Sequence, residues 1–104
     1  MKQTAVPVIN EAALKREKVR EVAEWMNEQF EAEGVLFQDV AASQIVEHFG
    51  EEFTYANNLG NVAIGKDVLA AFRKLTENRA IWSRSERRWR RREAHDDPNT
   101  RIEP

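Results

Sequence analysis

Several residue types are scarce in this chain of 104 residues, which has no cysteine, two histidines, three prolines and four glycines. Without cysteine, a disulfide framework, thiolate metal ligands and a cysteine nucleophile are excluded. No run of eighteen apolar residues occurs, so the sequence predicts no membrane-spanning helix. The N-terminal stretch does not resemble a secretory signal, because Pro7 interrupts its short apolar run. We therefore expect a small cytoplasmic protein without a membrane partner.

Residues that carry catalysis or bind metal ions are also scarce. His48 lies near the end of a predicted helix, where an exposed histidine suits the helix dipole. His95 is followed by Asp96 and Asp97, but a metal site needs further ligands. The turn cluster NNLGN at residues 57–61 lacks the spacing of a phosphate-binding loop. We therefore predict that the protein is not an enzyme and that it uses no cofactor, metal ion or small-molecule substrate.

The net charge of −2 is unevenly distributed along the chain. Residues 1–78 carry 8 basic and 13 acidic side chains, whereas residues 79–93 carry seven arginines and only two acids. Residues 94–104 carry one basic and three acidic side chains. A cationic segment on an acidic body indicates an anionic partner. The overall acidity weakens the attraction to nucleic acid, because typical nucleic-acid-binding domains are strongly basic.

Hydrophobic periodicity predicts three helices and most of the core. The first helix follows Asn10, an N-cap residue, and ends at Gly34, while the second is capped by Asp39 and ends at Gly50. The third helix spans about residues 66–77. Their apolar stripes recur at three- and four-residue spacing and must be buried against one another. The predicted core is Val19, Val22, Met26, Phe30, Leu36, Ile45, Phe49, Val68, Leu69, Phe72 and Leu75.

The arginine segment, residues 79–93, has two competing conformations. As a β-hairpin with a two-residue turn at Ser85–Glu86, it pairs Trp82 with Trp89 and Ser83 with Arg88. As a helix, it places both tryptophans on one face, but arginines four residues apart repel each other. The β-forming stretch AIWS favours the hairpin. Its strand can also pair with a short strand at residues 35–38.

The predicted architecture is α+β, with three helices, a short strand and a C-terminal β-hairpin or strand. Helix, strand, helix, helix and hairpin is the order found in winged helix-turn-helix domains. We expect residues 1–10 to form a flexible arm and residues 11–93 a single globular domain. Residues 94–104, whose composition offers almost nothing to bury, are expected to form a disordered acidic tail.

Four motifs support a family resemblance. They are GEEF at Gly50 to Phe53, the turn at Asn57 to Asn61, VLAAFRKLT at Val68 to Thr76, and the tryptophan–arginine ending at Trp82 to Arg92. With these motifs the chain resembles a small uncharacterised bacterial domain family over about residues 21–93. The resemblance implies a compact domain that ends at the arginine segment, and it implies no site residues.

Two functions fit these features. In the first, the protein binds DNA through the third helix and the arginine segment, whose guanidinium groups contact phosphates. The predicted contacts are Lys66, Arg73, Lys74, Arg84, Arg87, Arg88, Arg90 and Arg91. In the alternative, the protein is an interaction or homodimerising module whose arginine strand docks on an acidic helix of its own or of an acidic partner. The first helix offers such a surface, the glutamate ridge, made of Glu17, Glu21, Glu24, Glu28 and Glu31.

Overall fold

The computed structural model describes residues 11–103, so the predicted arm at residues 1–10 lies outside the described residues. As predicted, the architecture is α+β. The elements are α1 (Glu11–Glu33), β1 (Val35–Phe37), α2 (Gln38–Phe49), a short 3-10 turn (Glu51–Phe53), β2 (Thr54–Ala56), β3 (Val62–Ile64), α3 (Lys66–Thr76), β4 (Ala80–Ser83) and β5 (Arg88–Arg91). None of the helices in this range is long and apolar enough to cross a membrane.

The end of α1 follows local chemistry, whereas the start of α2 does not. Gly34 ends α1 with a φ of +76°, a conformation that glycine adopts without strain, and its N–H donates to Phe30 O at 2.7 Å. The predicted Asp39 cap of α2 is wrong, because the helix already begins at Gln38 after the extended residue Phe37. The reason is tertiary, since the Gln38 N–H donates to the Arg87 carbonyl at 3.0 Å and needs no side-chain cap.

The core is formed where α1 and α3 pack together and against the sheet. Eight of the eleven predicted core residues are buried. The other three, Phe49, Leu69 and Leu75, are partly buried at its edge. Short elements supply the buried residues that helical periodicity did not predict, among them Phe53, Ile64, Ile81 and Trp89. Strands of three or four residues are too short to show a pattern of their own.

A three-stranded antiparallel sheet with the order β1-β5-β4 forms the other side of the core. Trp89 pairs with Trp82 on one side and with Leu36 on the other, as expected for a hairpin that also joins the first strand. Directly opposed residues share a face of the sheet, so these three side chains face the helices. A second hairpin, β2–β3, lies between α2 and α3 in the chain.

The hairpin register is as predicted, but the predicted two-residue turn is wrong. The strands end at Ser83 and Arg88, and a four-residue loop joins them. The Arg87 N–H closes this loop by donating to Ser83 O at 2.8 Å, and Arg87 has a φ of 54°. Ser-Glu is a poor sequence for the primed turns that two-residue loops require, so the loop widens and one residue takes the left-handed conformation.

The described part of the C-terminal segment, residues 94–103, makes backbone contacts with the sheet. Residues 94–103 fold back along β4, where the Trp82 N–H donates to Arg101 O at 2.7 Å and the Glu103 N–H donates to Trp82 O at 2.9 Å. Composition did not reveal this return, because it depends on charge pairing with Arg90 and on backbone bonds more than on apolar burial.

The tryptophan pair gives a direct spectroscopic test of the hairpin. The ring centroids of Trp82 and Trp89 are 4.7 Å apart and the ring planes are inclined at 51°. We expect an exciton couplet in the far-ultraviolet circular dichroism, and its loss in Trp89→Phe. Trp25→Phe is the control, because Trp25 contacts His48 and Phe49 instead. A folded wild-type protein without the couplet would contradict this pairing.

Candidate functional site

Arg90 is bound by carboxylates of its own chain. Its Nε donates to Glu103 Oε2 at 2.6 Å, and its two Nη atoms donate to the two carboxylate oxygens of Asp96, both at 2.9 Å. Hydrogen bonds from Arg90 and from the Glu93 N–H hold the pKa of Asp96 well below its usual range. Hydrogen bonds from Arg90 and Ser83 also lower the pKa of Glu103. Because the Arg90 side chain is only 15% exposed, little of it is presented to an external anion.

Three further arginines bind the end of α1 and the returning tail. Arg79 forms an ion pair with the Glu31 carboxylate, and Arg91 donates to the Glu31 carbonyl at 2.8 Å. Arg91 passes Gly34, where a Cβ would lie 2.7 Å from its guanidinium. Arg92 donates to three backbone carbonyls, those of Asn78, Asp97 and Thr100. We call Arg79, Arg90, Arg91 and Arg92 the base arginines. Arg79 and Arg91 bind Glu31 at the end of the glutamate ridge, whereas Arg90 and Arg92 bind residues 94–103.

The other three arginines of the segment lie in or beside the hairpin loop. Arg88 Nε donates to Glu86 Oε1 at 2.8 Å. Arg87 makes a contact of 3.9 Å with a carboxylate oxygen of Asp39, and its side chain is 47% exposed. Arg84 is exposed and pairs with no carboxylate among residues 11–103. Arg84 and Arg87, which we call the tip arginines, are therefore accessible to a partner.

The three predicted basic contacts on α3 are spread over its surface. Lys66 lies at the exposed start of the helix. Arg73 lines a cavity beside the tryptophan pair. Lys74 lines a groove between α1 and α3, together with Lys15, Arg16 and Arg20. Successive helix residues are about 100° apart, so Arg73 and Lys74 lie on different sides of α3, one toward the tryptophan pair and one toward α1. The structure therefore does not bring the eight predicted nucleic-acid-binding residues onto one surface.

A cavity with a volume of about 500 Å³ lies between α3 and the sheet. We call it the tryptophan pocket. Trp89, 8% exposed, and the partly buried Trp82 form its apolar wall. Its polar lining residues are Gln38, Arg73, Thr76, Glu77 and Arg101. The Thr76 hydroxyl is already engaged, because it donates to Phe72 O at 2.9 Å.

The tryptophan pocket adjoins the tip of the hairpin. Gln38 lines the pocket, and its backbone N–H donates to the Arg87 carbonyl at 3.0 Å. This backbone bond joins the loop to one edge of the pocket, whereas the Arg87 side chain lines a separate cavity with Asp39 and Ser43. Aromatic ring faces beside guanidinium groups suit a planar group that carries negative charge. Chemically, this arrangement can bind such a group, and it lacks the paired acid and base of a catalytic site.

Sequence reasoning missed part of this site. It identified Arg73 and the paired tryptophans, but Gln38 received no role and Arg101 was placed in a disordered tail. Arg101 reaches the pocket because residues 94–103 return along β4. The sequence around Arg101 is polar and gives no indication that this arginine lies at a pocket. A signal for Gln38 was that the predicted short strand at residues 35–38, which can pair with the hairpin, ends at this residue.

One acidic cluster in the described range resembles a metal site. Ligand atoms of Glu93, His95 and Asp96 lie within 4.8 Å of one another. Asp96 already accepts hydrogen bonds from Arg90 and, at 2.6 Å, from the Glu93 N–H. His95 and Glu93 are exposed. Since Arg90 and the Glu93 N–H already bind the carboxylate of Asp96, the one partly buried residue of the three, we assign no metal site to the cluster.

Comparison with known proteins gives one match, to a model described as a family of unknown function, DUF6953, over residues 18–91. The chain belongs to the DUF6953 family. This confirms the predicted membership of a small uncharacterised domain family. No curated protein and no solved structure matches the chain.

The range matched by the DUF6953 model includes only part of the residues that line the tryptophan pocket. Gln38, Arg73, Glu77 and the two tryptophans lie inside the matched range, as do both tip arginines. The match ends at Arg91, so the residues that return along β4, including Arg101, lie beyond it. The wall and the α3 side of the tryptophan pocket therefore come from the family domain, and the returning segment completes it.

Proposed function

We propose that this protein is a non-enzymatic cytoplasmic domain of winged-helix type that binds nucleic acid through α3 and the hairpin tip. Three helices and a C-terminal hairpin whose second strand pairs with β1 support this type of fold. In helix-turn-helix domains, a helix positioned by the preceding one contacts the duplex. We assign that role to α3, which here packs mainly on α1 rather than on the preceding helix α2. The hairpin takes the place of the wing, and β2–β3 lies between α2 and α3 in the chain.

The tryptophan pocket is the observation that carries the proposal. It places Arg73 and Arg101 around an aromatic wall, and its lining residue Gln38 is joined by a backbone hydrogen bond to Arg87 in the hairpin loop. Cationic side chains next to accessible aromatic rings are typical of surfaces that follow a phosphate backbone and stack bases, and here the partly exposed Trp82 is the accessible ring. No paired acid and base accompanies them, which favours binding over catalysis.

The proposed contact set is smaller than sequence reasoning suggested. Arg90 and Arg91 hold the chain's own carboxylate and carbonyl groups, and Arg88 pairs with Glu86. Lys66 and Lys74 lie away from the pocket lining. The proposal therefore retains Arg73 and the tip arginines and adds Arg101. So few phosphate contacts, on an acidic body, predict weak, sequence-tolerant and salt-sensitive binding.

The alternative function, docking of the arginine strand on an acidic helix, has support only within the chain. Arg79 and Arg91 both reach Glu31, the last member of the glutamate ridge. These contacts explain how the base arginines stabilise the fold. They use the arginines that a second copy or an acidic partner would need, so we favour nucleic acid as the external partner.

The salt dependence of binding tests the proposal. We expect Arg84→Ala/Arg87→Ala to lower the slope of log affinity against log salt by about 1.4–1.8, since each lost phosphate contact contributes ~0.7–0.9. Labelled duplex and single strand are titrated between about 50 and 200 mM salt, where the electrostatic contribution changes strongly.

The matched control for this test is Arg16→Ala/Arg20→Ala, which removes the same charge from the groove between α1 and α3. It should leave the slope nearly unchanged. Equal effects of the two double variants would show that only net charge matters and would contradict the proposed surface. If neither duplex nor single strand binds at the lower salt concentration, the proposed function is wrong.

A further inference from the structure

The tryptophan pocket has the size and lining of a site for one small planar group. Its volume of about 500 Å³ lies within the range of about 300–1,000 Å³ that is usual for small-ligand pockets. Trp89 packs edge-on against Phe72, with ring centroids 5.0 Å apart, and is thereby fixed in the core. Trp82 lies against Trp89 and stays partly exposed. The pocket thus offers an incoming ring a rigid aromatic surface.

The polar groups around this surface match a nucleotide better than a simple aromatic acid. Arg73 and Arg101 come from opposite elements, α3 and the returning segment, and both line the pocket. Two cations on different sides suit two phosphates that flank one base. Glu77 is fixed at the end of α3, where its N–H donates to Arg73 O at 2.7 Å. Its carboxylate and the Gln38 amide supply hydrogen-bond acceptors and a donor for base edges.

A base inside a duplex cannot use this pocket. It is covered on both faces by its neighbours, and it reaches a protein pocket only after it is unpaired and unstacked. A single strand offers its bases at little cost, and stacking on tryptophan tolerates any sequence. We infer that the tryptophan pocket binds one unstacked base of single-stranded nucleic acid, with the flanking phosphates on Arg73 and Arg101. This inference rests on the proposed function and specifies its substrate class.

The experiment uses the full chain carrying Trp25→Phe, so that emission comes only from the two pocket tryptophans. An oligothymidylate of about ten nucleotides, within the usual site size for single strands, and a duplex of the same length are titrated separately. We expect the single strand to quench the emission and to bind more tightly than the duplex. Thymidine monophosphate should quench only at much higher concentration, because it lacks the second phosphate.

Two neighbouring substitutions on α3 provide the matched comparison. Arg73→Ala should weaken oligothymidylate binding by about tenfold, whereas Lys74→Ala, on the side of α1, should have little effect. Both residues are exposed, so both variants should fold, and their circular dichroism should keep the tryptophan couplet.

The outcomes separate this inference from the proposed function. Duplex binding without preference for the single strand, or bound oligothymidylate with unchanged emission, would overturn the inference and leave the proposed function standing. Equal losses in Arg73→Ala and Lys74→Ala would also overturn it. Saturation by thymidine monophosphate at the same concentration as the oligomer would assign the pocket to free nucleotides instead. Failure of every nucleic acid to bind would overturn both.

Discussion

Replacing Phe72 with alanine is expected to lower the free energy of unfolding by about 3–5 kcal/mol. Phe72 is fully buried and links three elements, since its ring lies 5.0 Å from the Trp89 ring and 6.3 Å from the Phe30 ring. A cavity there removes contacts of α3 with both α1 and the sheet. Domains of this size are stable by only ~5–15 kcal/mol, so we expect the melting temperature to fall by at least about 12 °C.

The comparison for this variant is Phe37→Ala, the same substitution at a side chain that is 46% exposed. This substitution should lower the free energy of unfolding far less, because water already reaches the Phe37 ring. Thermal unfolding followed by circular dichroism measures both. Parent-like melting of Phe72→Ala, or equal losses in the two variants, would show that the position of α3 in the core is misassigned.

Replacing Arg90 with methionine is expected to release residues 94–103 from the sheet. The substitution keeps most of the apolar stem but leaves Asp96 and Glu103 without the guanidinium that binds both. Amide exchange of Glu103, whose N–H donates to Trp82 O, should then approach that of an unprotected peptide. Arg84→Met is the control, because Arg84 is exposed and binds no carboxylate among residues 11–103. Unchanged protection of Glu103 in Arg90→Met would contradict the role of this arginine.

The same contacts make the returning segment sensitive to acid. The pKa values of Asp96 and Glu103 are lowered in the folded protein, so their contribution to stability is complete above the unfolded values near ~4. It is lost as the pH falls through the folded pKa values. We expect the backbone NMR signals of Trp82 and Glu103 to be constant at neutral pH and to shift below about pH 4. In Arg90→Met this dependence should be much smaller.

Much of the fold follows from local patterns that are strong in this sequence. The stripe from Val19 to Phe30 has helical spacing over three turns, and those residues can be buried together only if the segment is helical. The pairing of Trp82 with Trp89 was favoured because the β-forming stretch AIWS precedes a polar turn, although a helix stayed a competing alternative. The type of turn was not predictable, because Ser85 and Glu86 disfavour a two-residue primed turn but do not favour any particular longer loop.

The site was predictable only in part. The arginines were expected at the surface, because a segment with seven arginines and two acids suggests contact with an external anion. Four of the seven instead bind Glu31, Asp96, Glu103 and backbone carbonyls. Whether an arginine is accessible depends on which carboxylates lie within a few ångströms of it, and those partners are up to 60 residues away in the sequence. No local pattern contains that information.

By itself, the sequence determined the three helices, the α+β class and the concentration of positive charge in one segment, and it favoured the tryptophan pairing over a helix. These properties depend on neighbours along the chain or one turn away, where spacing and propensity act directly. Only the tertiary structure decided which arginines are accessible, where residues 94–103 run, and that Arg73, Arg101 and the tryptophans meet in one pocket. Those properties depend on long-range packing and on charge pairs that form only once the helices and the sheet are in place.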